Sequence, residues 1–223
     1  MKVAALILTM FLAAVSAAGQ VTSVKKGGAP MARRDFEAIL SDARRLGAQH
    51  VRRVKIAFQV YSDRTRPADE TGSTIEEFIP NGGYRSFTER TKGGKSTKNE
   101  VIITGSKYYE RNGDGPWSVY NGNIGDDMSE TPWDIEQTYW KFEKTKLDGK
   151  VITLYRSIIK FAKSRYKDDK TPETYTDQYW INDGGLLVKT SQDIEYVGTK
   201  KFRSRVSTYE YDPKDLKIEA PVK

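Results

Sequence analysis

Apolar and polar side chains alternate along the final third of the chain, most regularly between Leu186 and Tyr196. A period of two is typical of a strand with one face buried and the other in water. Just before this run, Asn182–Gly185 separates two segments rich in aromatic and branched residues. Asn, Asp and Gly tolerate positive φ, so this tetrapeptide predicts a tight hairpin. The pattern predicts four consecutive long strands: Val151–Ser164, Tyr175–Asn182, Leu186–Val197 and Phe202–Tyr211.

Near the N-terminus the pattern takes the period of a helix. Between Ala32 and Leu46 apolar residues recur three or four positions apart and form one stripe, with charged residues elsewhere. Gly47 is a natural C-terminal stop. Beyond residue 18 this is the one helix that the sequence predicts. Its stripe consists of Phe36, Ile39, Leu40, Ala43 and Leu46.

The region between the helix and the last four strands is divided by turn residues about every 8–12 positions, which is typical of antiparallel β folds. It contains no alternating β and α segments, which argues against a parallel sheet. We predict a mainly β fold with one N-terminal helix: a curved antiparallel half-barrel of about ten strands with the helix in its concavity. The strands predicted in this region are Val51–Tyr61, Ser73–Ile79, Tyr84–Thr91, Asn99–Thr104, Lys107–Arg111, Trp117–Tyr120 and Ile135–Leu147.

Asn121–Pro132 is the least strand-like part of this region, since it contains Asn-Gly, Gly-Asp-Asp and a proline. Trp117 and Trp133 flank it. Two interpretations stay open. The segment is either a surface loop anchored by aromatic residues or a mobile flap over the mouth of a cavity.

Met1–Ala18 has the features of a secretory signal peptide: a positive start, the apolar run Val3–Val15 and small residues at its end. A membrane anchor needs ~20 apolar residues, and this run is shorter; an uncleaved anchor is the alternative. We predict cleavage near Gly19, a flexible lead over residues 19–30 and a single domain over residues 31–223. The protein is then expected to be soluble in the periplasm or outside the cell.

The chain has no cysteine and a formal net charge of +7. An exported chain without cysteine forms no disulfide and carries no acylated cysteine. A basic balance in a cytosolic protein would suggest nucleic acid, but export argues against that partner. An anionic lipid or membrane surface is the more natural candidate. The basic residues are also spread over many strands, so solvated surface charge is the simpler interpretation.

The C-terminal sequence resembles a known family. Tyr209-Glu-Tyr-Asp-Pro-Lys-Asp-Leu-Lys-Ile-Glu-Ala-Pro221 is similar to the last strand and tail of the LolA/LolB-like envelope carriers, a superfamily that includes the LppX/LprG-type lipid-binding lipoproteins. In that family a Tyr-x-Tyr-[Asp/Asn] strand precedes an Ile-x-x-Pro tail. The run Tyr179–Lys189, which turns at glycines, also looks similar. The signal peptide, the early helix and the long strands extend the resemblance over nearly the whole chain after residue 18.

The resemblance implies a half-barrel closed by helices that holds acyl chains in an apolar cavity. Two features depart from the family. The LppX/LprG type is lipid-anchored, whereas this chain has no cysteine to acylate. The LolA type carries additional lid helices, which this sequence does not predict; Asn121–Pro132 is a candidate substitute. Neither lipoprotein transfer nor a particular lipid follows from the resemblance, because one scaffold can serve several functions.

The sequence offers little for catalysis. His50 is the only histidine and has no G-x-S-x-G motif nearby, so a nucleophile–histidine pair would depend on this residue alone. One histidine without cysteine leaves only carboxylates as metal ligands, and Asn112–Gly115 is better interpreted as a turn than as a calcium loop. We predict no catalytic residue, no metal and no cofactor. Paired carboxylates for glycoside hydrolysis stay an open alternative, because they need proximity in space rather than in sequence.

Lipid binding needs no such motif. Burying a methylene stabilises by ~0.8 kcal/mol, so a chain of ~14 carbons offers on the order of 10 kcal/mol before the costs of association. The predicted function is an exported binding protein, and a candidate envelope lipid or lipoprotein carrier, that holds a lipid or acylated ligand; its protein partner is unknown. The alternative is an envelope sensor or interaction module whose cavity is filled by these same side chains. The predicted ligand-binding residues are Val54, Ile56, Phe58, Val60, Trp117, Trp133, Trp140, Trp180, Leu186, Val188 and Ile194.

Overall fold

A computed structural model describes residues 28–121, 134–161 and 172–221. Several predictions from the sequence lie outside these ranges. They concern the signal peptide, most of the flexible lead, Trp133, the body of the Asn121–Pro132 segment and the end of the strand predicted over Val151–Ser164.

The described chain contains one α-helix and thirteen strands, ten of which have six residues or more. Helix α1 spans Arg33–Ala48, close to the prediction. The strands are β1 (Ala29–Pro30), β2 (Arg52–Tyr61), β3 (Glu70–Ile79), β4 (Gly83–Lys92), β5 (Lys95–Thr104), β6 (Lys107–Asn112), β7 (Ser118–Asn121), β8 (Asp134–Lys141), β9 (Thr145–Leu147), β10 (Lys150–Phe161), β11 (Glu173–Asn182), β12 (Leu187–Tyr196) and β13 (Phe202–Tyr211).

All the strands belong to one antiparallel sheet with the order β1-β8-β10-β11-β12-β13-β2-β3-β4-β5-β6-β7, and β9 pairs with β10 beside β8. Neighbours in the sheet are mostly neighbours in sequence, as expected for a chain with tight turns. The longest exception lies at the centre of the sheet, where β13 pairs with β2 along its whole length, from Phe202 opposite Tyr61 to Tyr211 opposite Arg52. A shorter exception is the pairing of β1 with β8 at one edge. The sheet is curved and stays open, as the sequence predicted.

Helix α1 lies in the concavity. Its N-cap residue, Ala32, makes no side-chain cap, so packing of the apolar stripe has to hold the helix in place. The Phe36 ring lies 4.7 Å from the ring of Tyr139 and 5.8 Å from that of Tyr179. Leu40 and Ala43 are buried in the same core as Leu187. The helix therefore fills the concave side of the sheet over β8 and β10–β12. No helix in the described ranges is both long and apolar enough to cross a membrane.

Two details differ from the predicted strands. The segment predicted as a single strand over Ile135–Leu147 is two strands, β8 and β9, because the chain leaves the sheet after Lys141 and both pieces pair with β10. In β12 a bulge at Val188 shifts the register, so that Leu187 lies opposite Ile181 while Lys189 lies opposite Trp180. The bulge places Leu187, rather than Leu186, in the core beneath α1.

Candidate ligand-binding trough

Three adjoining cavities lie on the inner face of the sheet beside α1, with volumes of about 410, 210 and 200 Å³. Arg205 lines all three, which shows that they are parts of one depression. We call this depression the trough. Its floor is formed by β12, β13, β2 and β3, and α1 borders the two smaller cavities through Ala43 and Arg44.

The floor combines an apolar strand with polar neighbours. On β2 the side chains that face inward are Val54, Ile56, Phe58 and Val60, all predicted from the alternation in the sequence. The opposite positions on β13 are Tyr209, Ser207, Arg205 and Arg203 in the same order. The opposite positions on β3 are Glu76, Thr74, Gly72 and Glu70. The trough is therefore amphipathic, with an apolar line between two more polar ones.

The predicted lining residues differ in burial. Val54, Ile56 and Ile194 are buried, whereas Phe58 and Val60 are only half-buried. Phe58 lies over Gly72 of the neighbouring strand, where a Cβ atom would meet the ring and lie 2.7 Å from the carbonyl oxygen of Glu89. The exposed side of the Phe58 ring is thus available within the largest cavity.

Leu186, Val188 and the described tryptophans, all predicted to line the cavity, lie elsewhere. Leu187 lines the two smaller cavities, and neither Leu186 nor Val188 lines any of the three. Trp180 neighbours the inward-facing Tyr179 along β11, so it faces outward; there its ring lies 5.2 Å from Lys189 Nζ.

The other two described tryptophans are also away from the trough. Trp140 is paired with Arg156 on the outer face. The guanidinium of Arg111 lies 4.7 Å from the Trp117 ring. None of the three described tryptophans lines the trough. The sequence pattern identified the β2 stripe but could not assign aromatic residues to a face.

Charged residues of the trough were not found from the sequence. Arg90 pairs with the buried Glu70 at 2.6 Å, so this charge is neutralised. Arg52 donates to the carbonyl oxygen of Gly47 and lies over the Phe78 ring, 4.1 Å from its centroid. Arg44 and Arg205 are exposed and line the two smaller cavities together. Spacing along one strand could have indicated that Arg203 and Arg205 share a face with Ser207, but not which strand lies beside them.

Two tyrosines contribute to the same surface. Tyr179 and Tyr209 line the cavity of about 200 Å³. Burial raises the pKa of Tyr179 well above its ordinary value, nearby Asp177 adds to the effect, and the positive charge of Arg44 opposes it. Tyr179 therefore stays protonated at neutral pH.

Among the described residues, no arrangement is typical of a catalytic nucleophile paired with histidine or of a metal site. His50 lies between α1 and β2, where its Nδ1 atom is 2.9 Å from Oδ2 of Asp212 at an exposed position. In residues 28–121, 134–161 and 172–221 no three histidine or carboxylate side chains group together as metal ligands. The trough is therefore considered as a binding site rather than a catalytic one.

No protein-family model matches the chain, and no curated protein matches its sequence. The chain is similar in structure to LprF from Mycobacterium bovis, with 13% identity, 88% of this chain and 100% of that chain covered, and a TM-score of 0.47. It is similar to lipoprotein LppX from Mycobacterium tuberculosis, with 14% identity, coverage of 84% and 100%, and a TM-score of 0.47. A LolA superfamily protein from Nitrosomonas europaea is 9% identical, with coverage of 84% and 94% and a TM-score of 0.31. These include members of the superfamily that the C-terminal motifs resemble.

Proposed function

We propose that this protein binds an acyl chain, presented by a lipid or an acylated molecule, in the trough. The observation that carries the proposal is the position of Phe58 and Val60. Both are apolar and half-buried on the floor of a concave cavity of about 410 Å³ that is partly open to solvent. Concave apolar surface of this kind, with a few polar groups around it, is typical of small-molecule sites, which span roughly 300–1,000 Å³.

The packing of α1 supports a division of the concave face into two parts. The part over β8 and β10–β12 is filled by the core around Phe36 and Leu40. The part over β13, β2 and β3 is bordered by α1 only in the smaller cavities, and no α1 residue lines the largest of the three. A chain laid along Ile56, Phe58 and Val60 would be shielded from water at ~0.8 kcal/mol per methylene. Binding of this kind makes and breaks no bond.

We further propose that the protein acts after export, as a carrier between membrane surfaces. The apolar N-terminal run and the C-terminal motifs support this part of the proposal. The formal charge of +7 favours approach to anionic lipid surfaces.

The first test is native mass spectrometry of the purified protein, followed by organic extraction. We expect a stoichiometric lipid or fatty acid to co-purify, or dodecanol to be taken up on addition. A clean apo mass without uptake of dodecanol would contradict the proposal and favour an interaction module with a filled cavity.

A matched pair of substitutions tests the location. Val60→Asp places a charge in the cavity, whereas Val206→Asp places it on the outer face of the adjacent strand at similar burial. We expect Val60→Asp to weaken dodecanol binding at least tenfold, because the bound chain would desolvate the new carboxylate. Val206→Asp should leave dodecanol binding unchanged. Circular dichroism would confirm that both variants fold. Equal binding by the two variants would place the site elsewhere.

A further inference from the structure

Two arginines of the trough form no ion pair with any described residue. Arg44 on α1 and Arg205 on β13 line the same two smaller cavities, one from the helix and the other from the sheet. Both are exposed, and neither makes an ion pair or a side-chain hydrogen bond within the described residues. A guanidinium offers five N–H donors in a fixed plane, which matches a carboxylate or phosphate.

Other arginines on this sheet contrast with these two. Arg90 pairs with Glu70 at 2.6 Å on the inner face. Arg85 pairs with Glu100 at 2.7 Å, and Arg53 with Glu77 at 2.8 Å, on the outer face. In each case a buried carboxylate on the next strand holds the guanidinium. Arg44 and Arg205 differ from these three arginines in this respect.

The charge of the trough as a whole is positive. Five arginines and three carboxylates line the three cavities, which leaves an excess of two positive charges. Of the carboxylates, Glu70 is held by Arg90 and Asp177 accepts a hydrogen bond from Gln192 at 2.8 Å. Glu76 is the third and lies on the β3 side of the floor, in the cavities shared with Arg205.

Neutral donors stand beside the two arginines. Tyr179 and Tyr209 line the cavity of about 200 Å³ together with Arg44 and Arg205. Burial keeps the Tyr179 hydroxyl protonated, so it can donate to an anion. Arg205 lies opposite Phe58 and also borders the largest of the three cavities, so the apolar side chains of Phe58 and Val60 adjoin this end of the trough.

We propose that Arg44 and Arg205 bind the anionic head group, a carboxylate or phosphate, of a single-chain amphiphile whose acyl chain lies along β2. This inference rests on the proposed function and adds the charge and orientation of the ligand. The head group lies at the α1 end of the trough, between the helix and β13, and the chain points towards Val60. Neutral lipids of the same chain length are then poorer ligands, because they leave both guanidinium groups without a partner.

The test compares dodecanoate, dodecyl phosphate and dodecanol by titration calorimetry on the wild-type protein and on Arg44→Gln and Arg205→Gln. Charge-assisted hydrogen bonds predict that wild type binds the two anions about tenfold or more tightly than the alcohol. Each substitution removes most of that preference and leaves dodecanol binding unchanged. Added salt weakens binding of the anions alone. Arg34→Gln is the matched control, because Arg34 is an exposed arginine on the same helix that lines none of the three cavities.

The outcomes separate the two proposals. Equal affinity for the three amphiphiles in all proteins would overturn the head-group assignment and leave chain binding intact. An equal loss of dodecanol and dodecanoate binding in the arginine variants would also overturn the head-group assignment. The arginines would then affect binding of the alkyl chain rather than of the anionic group. If no amphiphile binds, both proposals fail. Tight binding of inorganic phosphate without dodecanoate would identify a simple anion site and contradict the amphiphile.

Discussion

At the residue scale, Asp212 gives a physical reason for the last position of the Tyr-x-Tyr-Asp motif. Its φ of 52° lies in the left-handed region, which Asp and Asn tolerate better than other residues with a side chain. The Asp212 amide donates to the carbonyl oxygen of Val51 at 2.7 Å as the chain leaves β13. The backbone geometry therefore favours Asp or Asn at this position, whatever the protein binds.

The tail that follows is fixed by specific contacts on the outer face. Both terminal nitrogens of Arg53 donate to the carboxylate of Asp215, at 3.3 and 3.1 Å. Ile218 lies against Gly83, where an added Cβ atom would be 3.2 Å from its Cγ2. The order of residues in the terminal motif thus corresponds to one turn and two anchoring contacts.

The second tyrosine of the motif links the last strand to the hairpin beside it. The Tyr211 hydroxyl donates to the carbonyl oxygen of Leu187 at 2.9 Å. Burial raises the pKa of Tyr211 from 10.0 to about 12, because the phenolate would be poorly solvated there; Tyr209 adds to the shift and Arg52 opposes it. The hydroxyl is thus a donor that the folded state keeps protonated.

We predict that Tyr211→Phe lowers the free energy of unfolding by about 1 kcal/mol at pH 7, because this is the usual net contribution of a hydrogen bond to stability. Because the folded pKa is raised, the stabilisation from the protonated hydroxyl is fully present below pH 10 and is lost as the pH rises towards 12. The advantage of wild type over Tyr211→Phe should therefore shrink across that interval. Urea unfolding of both proteins at several pH values measures this difference in the free energy of unfolding. A difference that stays constant up to pH 12 would contradict the prediction.

At the scale of elements, α1 fills one part of the concave side of the sheet. Phe36 is 3% exposed and its ring contacts tyrosines of two different strands. Since the helix has no side-chain cap at its N-terminus, its position depends on this packing.

We expect Phe36→Ala to lower the free energy of unfolding by about 3–5 kcal/mol, the usual effect of removing a buried phenylalanine. Glu37→Ala, one position along the helix, removes an exposed side chain paired with Arg33 and should change it by less than about 1 kcal/mol. Denaturant titration of the two variants provides the comparison. Similar values for the two would mean that α1 is not held by its apolar stripe.

The elements that the sequence predicted well are those with strong local signals. The hairpin at Asn182–Gly185 forms as predicted: Gly185 has a φ of 81°, and the Asn182 side chain accepts a hydrogen bond from the Leu186 amide at 2.9 Å. The bulge at Val188 had no such signal. It reverses the inward and outward positions for part of β12, so alternation assigned Leu186 where the structure has Leu187.

At the scale of the whole molecule, the trough exists because β13 lies beside β2. This pairing brings the apolar stripe of β2 next to Arg203 and Arg205, which are more than half the chain away in sequence. No local pattern specifies which strands meet over such a distance, so the sequence predicted half of the floor and missed the charged half.

Removing β13 should therefore do more than remove one strand. A chain that ends at Lys201 leaves β2 and β12 with free edges at the centre of the sheet, and free edges promote association. We expect this truncated chain to aggregate and to lose cooperative unfolding, while a chain that ends at Pro221 behaves like the full chain. Size-exclusion chromatography with thermal melting followed by circular dichroism distinguishes the two. A monomeric, cooperatively unfolding chain that ends at Lys201 would contradict the expectation.

The same pairing sets a time order for folding. The strand β2 has two partners, and it can pair with β13 only after this last long strand has been made. Closing so long a loop costs entropy before any contact between β2 and β13 is gained, and contacts of this range are associated with slow folding. The nascent chain is thus kept from completing its sheet for the whole of its synthesis. A protein that crosses a membrane as an unfolded chain would benefit from this delay in folding. The delay follows from the order of the strands alone.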